Sequence, residues 1–339
     1  MKNNKSLILG IETSCDETAL AIMHGFELIH QITATQWIHE EYGGVVPEYA
    51  SREHEKLLPA ILDEILNKTA IELSEFDGIA VTRGPGLAGS LLVGLSFAKG
   101  LAVALDIPLY GINHIEGHIF ANFIGQELLP TPFLCLLVSG GHTQIVHVKS
   151  MEDFSLIGTS RDDAAGEAFD KVARLLGIGY PGGPLIDKLS QSGNAKFHHF
   201  PRTNFKEGYD FSFSGLKTSV MYYVKDKSPE FINENLADIA ASFQEAVVDA
   251  LVGHAIKAAT DLKLNRIVLA GGVAANTRLR EKISTKSKTL HIKVYQPELH
   301  YCTDNAAMIA YLGYWKHLKK DASSLAMKAI PNLKLSFRN

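Results

Sequence analysis

Apolar positions in the first third of the chain alternate between short runs of strand period and longer stretches of helical period. Residues 7–13, 18–23 and 26–33 read as three strands, the first two joined by a polar turn. Residues 48–68 place Leu57, Leu58, Ile61, Leu62 and Ile65 at helical spacing, which predicts a helix. A buried strand follows at 78–82, a helix at 90–105 and a strand at 108–113. The pattern then restarts with strands at 133–138, 143–149 and 154–159. Helices are expected near 166–176 and 237–262, a strand at 266–270, a helix at 275–284, a strand at 291–295 and a last helix at 303–319. No repeat of fixed period accompanies this; the order of elements is what recurs. A duplicated α/β unit with mixed sheets and a cleft between halves is the architecture implied. Residues 177–215, rich in Gly, Pro and aromatics, read as irregular, and a loop of that length is usually functional.

Composition narrows the classes. With 339 residues, 46% hydrophobic and 21% charged, the chain is neither disordered nor low-complexity and has length for two subdomains. Its net charge of −4 offers no global basic field, so any nucleic acid would need a local patch. Cys15, Cys135 and Cys302 are widely spaced with no CxxC, which excludes a disulfide framework and suits a reducing compartment. The polar start carries no secretory or transit signature. Residues 87–105 are strongly apolar, but Lys99, Gly89, Gly94 and Gly100 read as a buried, closely packed helix and not a membrane span. A cytoplasmic protein without a membrane partner is expected.

Three turns follow strands at matching places: Glu12 to Thr18, Ser139-Gly140-Gly141-His142-Thr143, and Gly271 to Asn276. Glycines there let backbone N–H groups turn toward an anion, so together they suggest a nucleotide cradle, although a Gly-Gly pair is commonly only a tight turn. Neither GxxxxGK[ST] nor GxGxxG is present. His114-Ile115-Glu116-Gly117-His118 sets two imidazoles at i and i+4, on one face of a helix if one forms. It is not HExxH: Glu116 lies roughly 200° round from His114 and points away from such a metal. Asp304 is a candidate third ligand, or else a helix N-terminal carboxylate satisfying backbone donors. Asp170 and Asp187 flank a Gly-Pro segment containing Gly183, as ribose acceptors or simply as part of a turn and an exposed face. The run from Lys196 to Lys206 interleaves basic and aromatic residues, and with the C-terminal Lys/Arg set it is the candidate RNA surface.

These motifs, spread from Gly10-Ile11-Glu12-Thr13-Ser14-Cys15-Asp16-Glu17-Thr18 to Thr303-Asp304-Asn305, resemble the tRNA N6-adenosine threonylcarbamoyltransferases, the TsaD family. The most specific stretch runs from Lys99-Gly100 through Pro108 to His118, and Gly43-Gly44-Val45-Val46-Pro47-Glu48 looks like the bacterial branch. The resemblance implies a duplicated actin-like, ribonuclease H-like ATPase fold of α/β class with a central cleft. A first subdomain would span 1–130, completed by a C-terminal helix over 305–339, and a second 131–304. His114, His118 and Asp304 match the family's metal ligands, for one Fe(2+) per subunit with Zn(2+) as the alternative. Leu137, Val138, Ser139, Gly140, Gly141, Asp170, Gly183, Asp187 and Asn276 match its substrate positions. The implied reaction moves the threonylcarbamoyl group from threonylcarbamoyl-AMP to N6 of adenosine 37 in tRNAs reading codons that begin with A. No residue is assigned as general base. The implied partners are tRNA, the inactive paralogue TsaB and the small ATPase TsaE. The alternatives are an ATP-dependent kinase of the same superfamily and a metalloprotease, the latter disfavoured by the HIEGH spacing.

Overall fold

The computed structural model describes residues 6–125, 130–202 and 208–335. The described residues form two compact units, one of residues 6–125 with Thr303–Leu335 and one within Pro130–Cys302. In the first, β1 (Leu7–Glu12), β2 (Glu17–His24) and β3 (Glu27–Thr35) form an antiparallel meander. A short α1 (Ile38–Glu41) and the long α2 (Pro47–Thr69) lead to β4 (Gly78–Gly84), α3 (Ala88–Leu105), β5 (Leu109–Asn113) and α4 (His114–Phe120). The sheet order is β3-β2-β1-β4-β5, with β4 parallel to both β1 and β5.

The second unit repeats this plan. Strands β6 (Phe133–Val138), β7 (Thr143–Ser150) and β8 (Asp153–Thr159) form its meander. Then come α5 (Ala165–Leu175), α6 (Gly182–Ser190), α7 (Ser214–Lys225), α8 (Pro229–Glu234) and α9 (Leu236–Asp261). Strand β9 (Arg266–Ala270), α10 (Thr277–Lys288) and β10 (Lys293–Tyr295) complete a sheet ordered β10-β9-β6-β7-β8. The final helix, α11 (Ala306–Leu318), belongs to the first unit.

Burial explains why the central strands are apolar along their whole length. β6 is buried at all six positions and β1 at five, because both sheet faces are covered; edge strand β3 is largely half-exposed. Helix α11 lies directly on β1 and β4. A Cβ at Gly10 would stand 2.5 Å from the Ala306 carbonyl, and one at Gly313 would collide with Ala80, so this approach needs glycine on both elements.

Several expectations need correction. The stretch read as irregular contains α6, and α7 begins at its end. The helix α6 opens on Gly182-Gly183-Pro184, and proline is tolerated in a first turn, whose N–H groups have no intrahelical acceptor. The last helix ends at Leu318, and no helix follows it as far as Leu335. Helices α3 and α9 are both long and apolar enough to cross a membrane. Most of α9 is buried, while α3 buries one face and leaves Leu92 and Val103 exposed, less burial than the sequence suggests.

Candidate metal centre and ligand-binding turns

In the first unit, three side chains converge from distant sequence. His114 Nε2 lies 3.4 Å and His118 Nε2 3.1 Å from the same atom, Asp304 Oδ1. The two imidazoles meet edge to face at 4.6 Å. One donor atom from each of the three residues falls within 4.8 Å of the others. Local structure explains each placement. Asn113 caps α4, its Oδ1 accepting from Ile115 N at 2.9 Å, so His114 and His118 share a helical face. Asn305, not Asp304, caps α11, with Oδ1 accepting from Met308 N at 3.0 Å. Asp304 is therefore free of the capping role that its position suggested, and its carboxylate faces the imidazoles.

A fourth residue, Glu12 at the end of β1, completes the arrangement. Its Oε2 lies 3.0 Å from His114 Nδ1 and accepts from Thr82 Oγ1 at 2.6 Å, while Oε1 accepts from Ser14 N at 2.5 Å. Glu12 is fully buried. Ligating histidines commonly donate their second ring N–H to a carboxylate, which fixes the tautomer that leaves Nε2 free for a cation. The sequence reading missed Glu12 by treating its segment as an anion turn. The available signal was a carboxylate at the carboxyl end of a central strand, where open α/β sheets gather their sites.

Electrostatics fit a cation. Burial works against charge on all these groups, yet Asp304 and then Glu12 outweigh it and raise His114 well above its ordinary value. Burial likewise opposes ionisation of Asp304, but His114, with hydrogen bonds from both histidines, holds it well below the usual carboxylate range. Glu12 is lowered in the same way, its burial offset by His114. Next door, burial, then Asp304 and Asp16, push the Glu17 carboxyl well above its ordinary value. The fully buried Glu12 and the part-buried Asp304 thus flank His114 with negative charge. The ring atom His118 Nδ1 is buried without a hydrogen-bond partner. Two imidazoles and one carboxylate are borderline ligands suited to Fe(II) or Zn(II). Cys15 is not a competing thiolate, since burial and the charge of Asp16 push its thiol well up.

The substrate positions implied by the resemblance all lie in the second unit. Leu137 and Val138 are fully buried in β6 and lead into the turn. The turn beyond them closes through Ser139 N donating to His142 O at 2.8 Å. It abuts α5, where Gly166 N donates to Ser139 O at 3.2 Å. It also abuts Gly271, whose φ of 85° is a left-handed conformation and whose Cβ would stand 2.5 Å from Val138 O. Asp170 Oδ1 accepts from Gly182 N at 2.7 Å, at the start of the helix carrying Gly183. Asp187 Oδ2 accepts from Thr277 N and Oγ1 at 3.0 and 2.9 Å, beside Asn276. Asn276 caps α10 through Leu279 N at 2.9 Å and donates to Gln244 Oε1 at 2.7 Å. Successive contacts thus join the 138–141 turn to α5 and Gly271, α5 to Gly182, and Asp187 to the start of α10. Added Cβ atoms at Gly140, Gly141, Gly183 and Gly272 would meet nothing within 4 Å, and Asp187 Oδ1 is buried without a partner.

Within the basic and aromatic run, Lys196 and His199 are exposed, while two members are engaged internally. Phe200 is fully buried, and Arg202 donates to Asp249 Oδ2 at 3.1 Å and to Phe200 O at 2.6 Å. The remaining residues of that motif, 203–206, lie outside the described residues, as does Arg338.

The family model described as TsaD, tRNA N6-adenosine threonylcarbamoyltransferase, matches residues 27–311. A protein of that name from Clostridium botulinum (strain 657 / Type Ba4) is 52% identical over 334 residues, covering 98% of each chain. Another, from Clostridium perfringens (strain SM101 / Type A), is 51% identical and covers 99% of this chain and all of its own. Among solved structures, full-length HypF in its phosphate- and nucleotide-bound form has a TM-score of 0.61 at 13% identity, over 94% of this chain and 47% of HypF. Component A of the Acidaminococcus fermentans (R)-2-hydroxyglutaryl-CoA dehydratase has a TM-score of 0.55 at 13% identity, over 92% and 99%. At that identity the likeness concerns the fold alone, which is actin-like. With half its residues shared with full-length relatives, the chain belongs to the TsaD family of tRNA N6-adenosine threonylcarbamoyltransferases.

Proposed function

We propose that this protein transfers the threonylcarbamoyl group of threonylcarbamoyl-AMP to N6 of adenosine 37 in tRNAs that read codons beginning with A. The observation that carries the reading is the convergence of His114, His118 and Asp304, backed by Glu12, in a chain about half identical to transferases of that name. The amine nitrogen attacks the carbamoyl carbonyl carbon, the bond from that carbon to the phosphate oxygen breaks, and AMP leaves while N6 gives up a proton to solvent. The mixed anhydride is already activated, so the protein contributes positioning and charge stabilisation and needs no covalent nucleophile.

The adenylate is assigned to the second unit. Open space over Gly140, Gly141 and Gly272 lets backbone approach a phosphate, and Asp187 is assigned to the ribose. Asp170 and Asn276 hold the flanking helix starts in place, and Gly183 leaves its own backbone open. In the first unit His114, His118 and Asp304 hold one Fe(2+), with Zn(2+) as the alternative, and Glu12 keeps His114 in the ligating tautomer. When bound, such an ion supplies Lewis-acid polarisation of a carbonyl or carboxylate oxygen. The inactive paralogue TsaB and the small ATPase TsaE are the proposed partners, and the cytoplasm the proposed location.

The test is nucleoside analysis of tRNA after incubation with threonine, bicarbonate, ATP, the adenylate synthase and the two partners. N6-threonylcarbamoyladenosine should form only when this chain is present. Full modification without it, or none in the complete mixture, would refute the assignment.

A further inference from the structure

Beyond α11 the chain returns along the first unit, and Lys334 reaches the residue before the helix that carries the histidines. Ser323 N donates to Leu109 O at 2.7 Å, and Gly111 N to Ser323 Oγ at 3.0 Å. Ile330 N donates to Arg83 O at 2.9 Å, and Gly86 N to Pro331 O at 3.0 Å. Arg83 Nε donates in turn to Lys328 O at 3.1 Å, and Met327 and Leu335 are buried. This strap is thus stitched to β4, β5 and the turn after β4. Its last described polar contact runs from Asn113 Nδ2 to Lys334 O, at 3.0 Å.

Asn113 is the cap of α4, so one amide faces two ways. Its oxygen accepts from Ile115 N and, at 3.4 Å, from Glu116 N, while its nitrogen is anchored on the strap. Asn113 is only 7% exposed, and His114 is the next residue. Helix α4 has seven residues, too few to hold itself by propensity, so its orientation depends on its ends and on packing. We propose that Asn113 is a positioning residue for His114 and His118, and that the C-terminal strap locks it through the Lys334 carbonyl. With that bond made, the amide cannot rotate, and the first turn of α4 presents His114 at a fixed angle to Asp304. Without it the cap can still form, but the ligand set is less preorganised.

The inference rests on the proposed metal site, and a three-variant experiment on the full chain separates the two. Asn113→Ser keeps a capping oxygen but is too short to reach Lys334. Deletion of residues 334–339 removes the strap's carbonyl, and the third variant combines both. Zn(2+) affinity is measured by competition with a chromophoric chelator, and the visible spectrum of the Co(2+)-loaded protein reports ligand geometry. Each single variant should raise the Zn(2+) Kd about tenfold, as loss of an outer partner of a metal ligand does, and alter the Co(2+) bands. The combination should cost no more than the deletion alone, because the bond that Asn113→Ser breaks is already gone there, while the buried Leu335 is lost in both. Wild-type affinity and spectrum in both single variants, or losses that add in the combination, would overturn the strap's role. Failure of the unaltered chain to bind either ion would overturn the metal site, and the inference with it.

Discussion

Glu12 Oε2 and His114 Nδ1 stand 3.0 Å apart, on the opposite side of the imidazole from Asp304. The ring is thus held between the buried carboxylate of Glu12 and that of Asp304, a proposed metal ligand. Glu12→Gln keeps the shape but removes the charge, and turns an amide N–H₂ toward Thr82 or Ser14, which are themselves donors. Metal affinity should fall about 10- to 100-fold, read by chelator competition. Unchanged affinity would mean that Glu12 serves only folding.

His118→Ala removes one of three ligands. Purified protein should carry about one Fe or Zn per chain, and the variant should lose most of it, since two ligands hold a divalent ion poorly. Elemental analysis by mass spectrometry decides this; equal content in both proteins would place the metal elsewhere.

Gly140 and Gly272 separate ligand binding from folding. Their added Cβ atoms meet nothing within 4 Å, so Gly140→Val and Gly272→Ala should change stability by less than about 0.5 kcal/mol. The same atoms would occupy the space assigned to the adenylate. Calorimetry should show AMP affinity falling at least about tenfold while thermal unfolding hardly moves. Equal affinity would send the cradle to another turn.

Glu245 gives the chain a predictable acid sensitivity. Arg278 above all, then Lys282, lowers its carboxyl to about 2 from 4.5, against partial burial. A carboxylate lowered in the folded state stabilises above its unfolded pKa and loses that contribution as pH falls toward the folded one. The window here runs from about 4.5 down to about 2. Allowing for solvent screening, the contribution is about 1–2 kcal/mol. Urea unfolding should show Glu245→Gln less stable than the parent by this amount at neutral pH, with the gap closing as pH approaches 3.

Arg202→Glu should lower thermal stability, because it sets two carboxylates together at Asp249 and removes the donors to Asp249 and Phe200 O. A cost of about 2–4 kcal/mol is expected in a half-buried pair. Weaker tRNA binding by this variant would count as an RNA contact only if its unfolding transition stayed in place.

Much of the architecture was legible because strand period and helix period alternate clearly in this chain. The two meanders, α2 and α9 follow directly from where Leu, Ile and Val fall. Helix α6 was hidden because Gly182, Gly183 and Pro184 look like loop residues locally, while the first turn of a helix tolerates them. The i, i+4 histidines were readable from spacing, and Asp304 from its place before a helix. What spacing could not reveal was that Asn305 takes the cap and leaves Asp304 to the imidazoles. Glu12 and Thr82 were invisible for a related reason, since they are 70 residues apart and meet only when β1 pairs with β4. The sequence likewise did not show that Phe200 is a core residue and Arg202 an ion-pair partner of Asp249, because basic and aromatic residues build ionic contacts and cores as readily as they bind nucleic acid.

Helix α11 also carries a consequence for how the protein is made. Asp304 stands 186 residues after His118, and α11 covers β1 and β4, which are among the earliest segments to leave the ribosome. At synthesis rates of about 5–20 residues per second, the first sheet waits roughly ten to forty seconds for its covering helix and the last proposed ligand. The second unit is contiguous from Pro130 to Cys302 and has no such delay, so it can fold while the first is still open. A divalent ion at the proposed site would therefore find no complete coordination set on the nascent chain, and would load onto the finished protein.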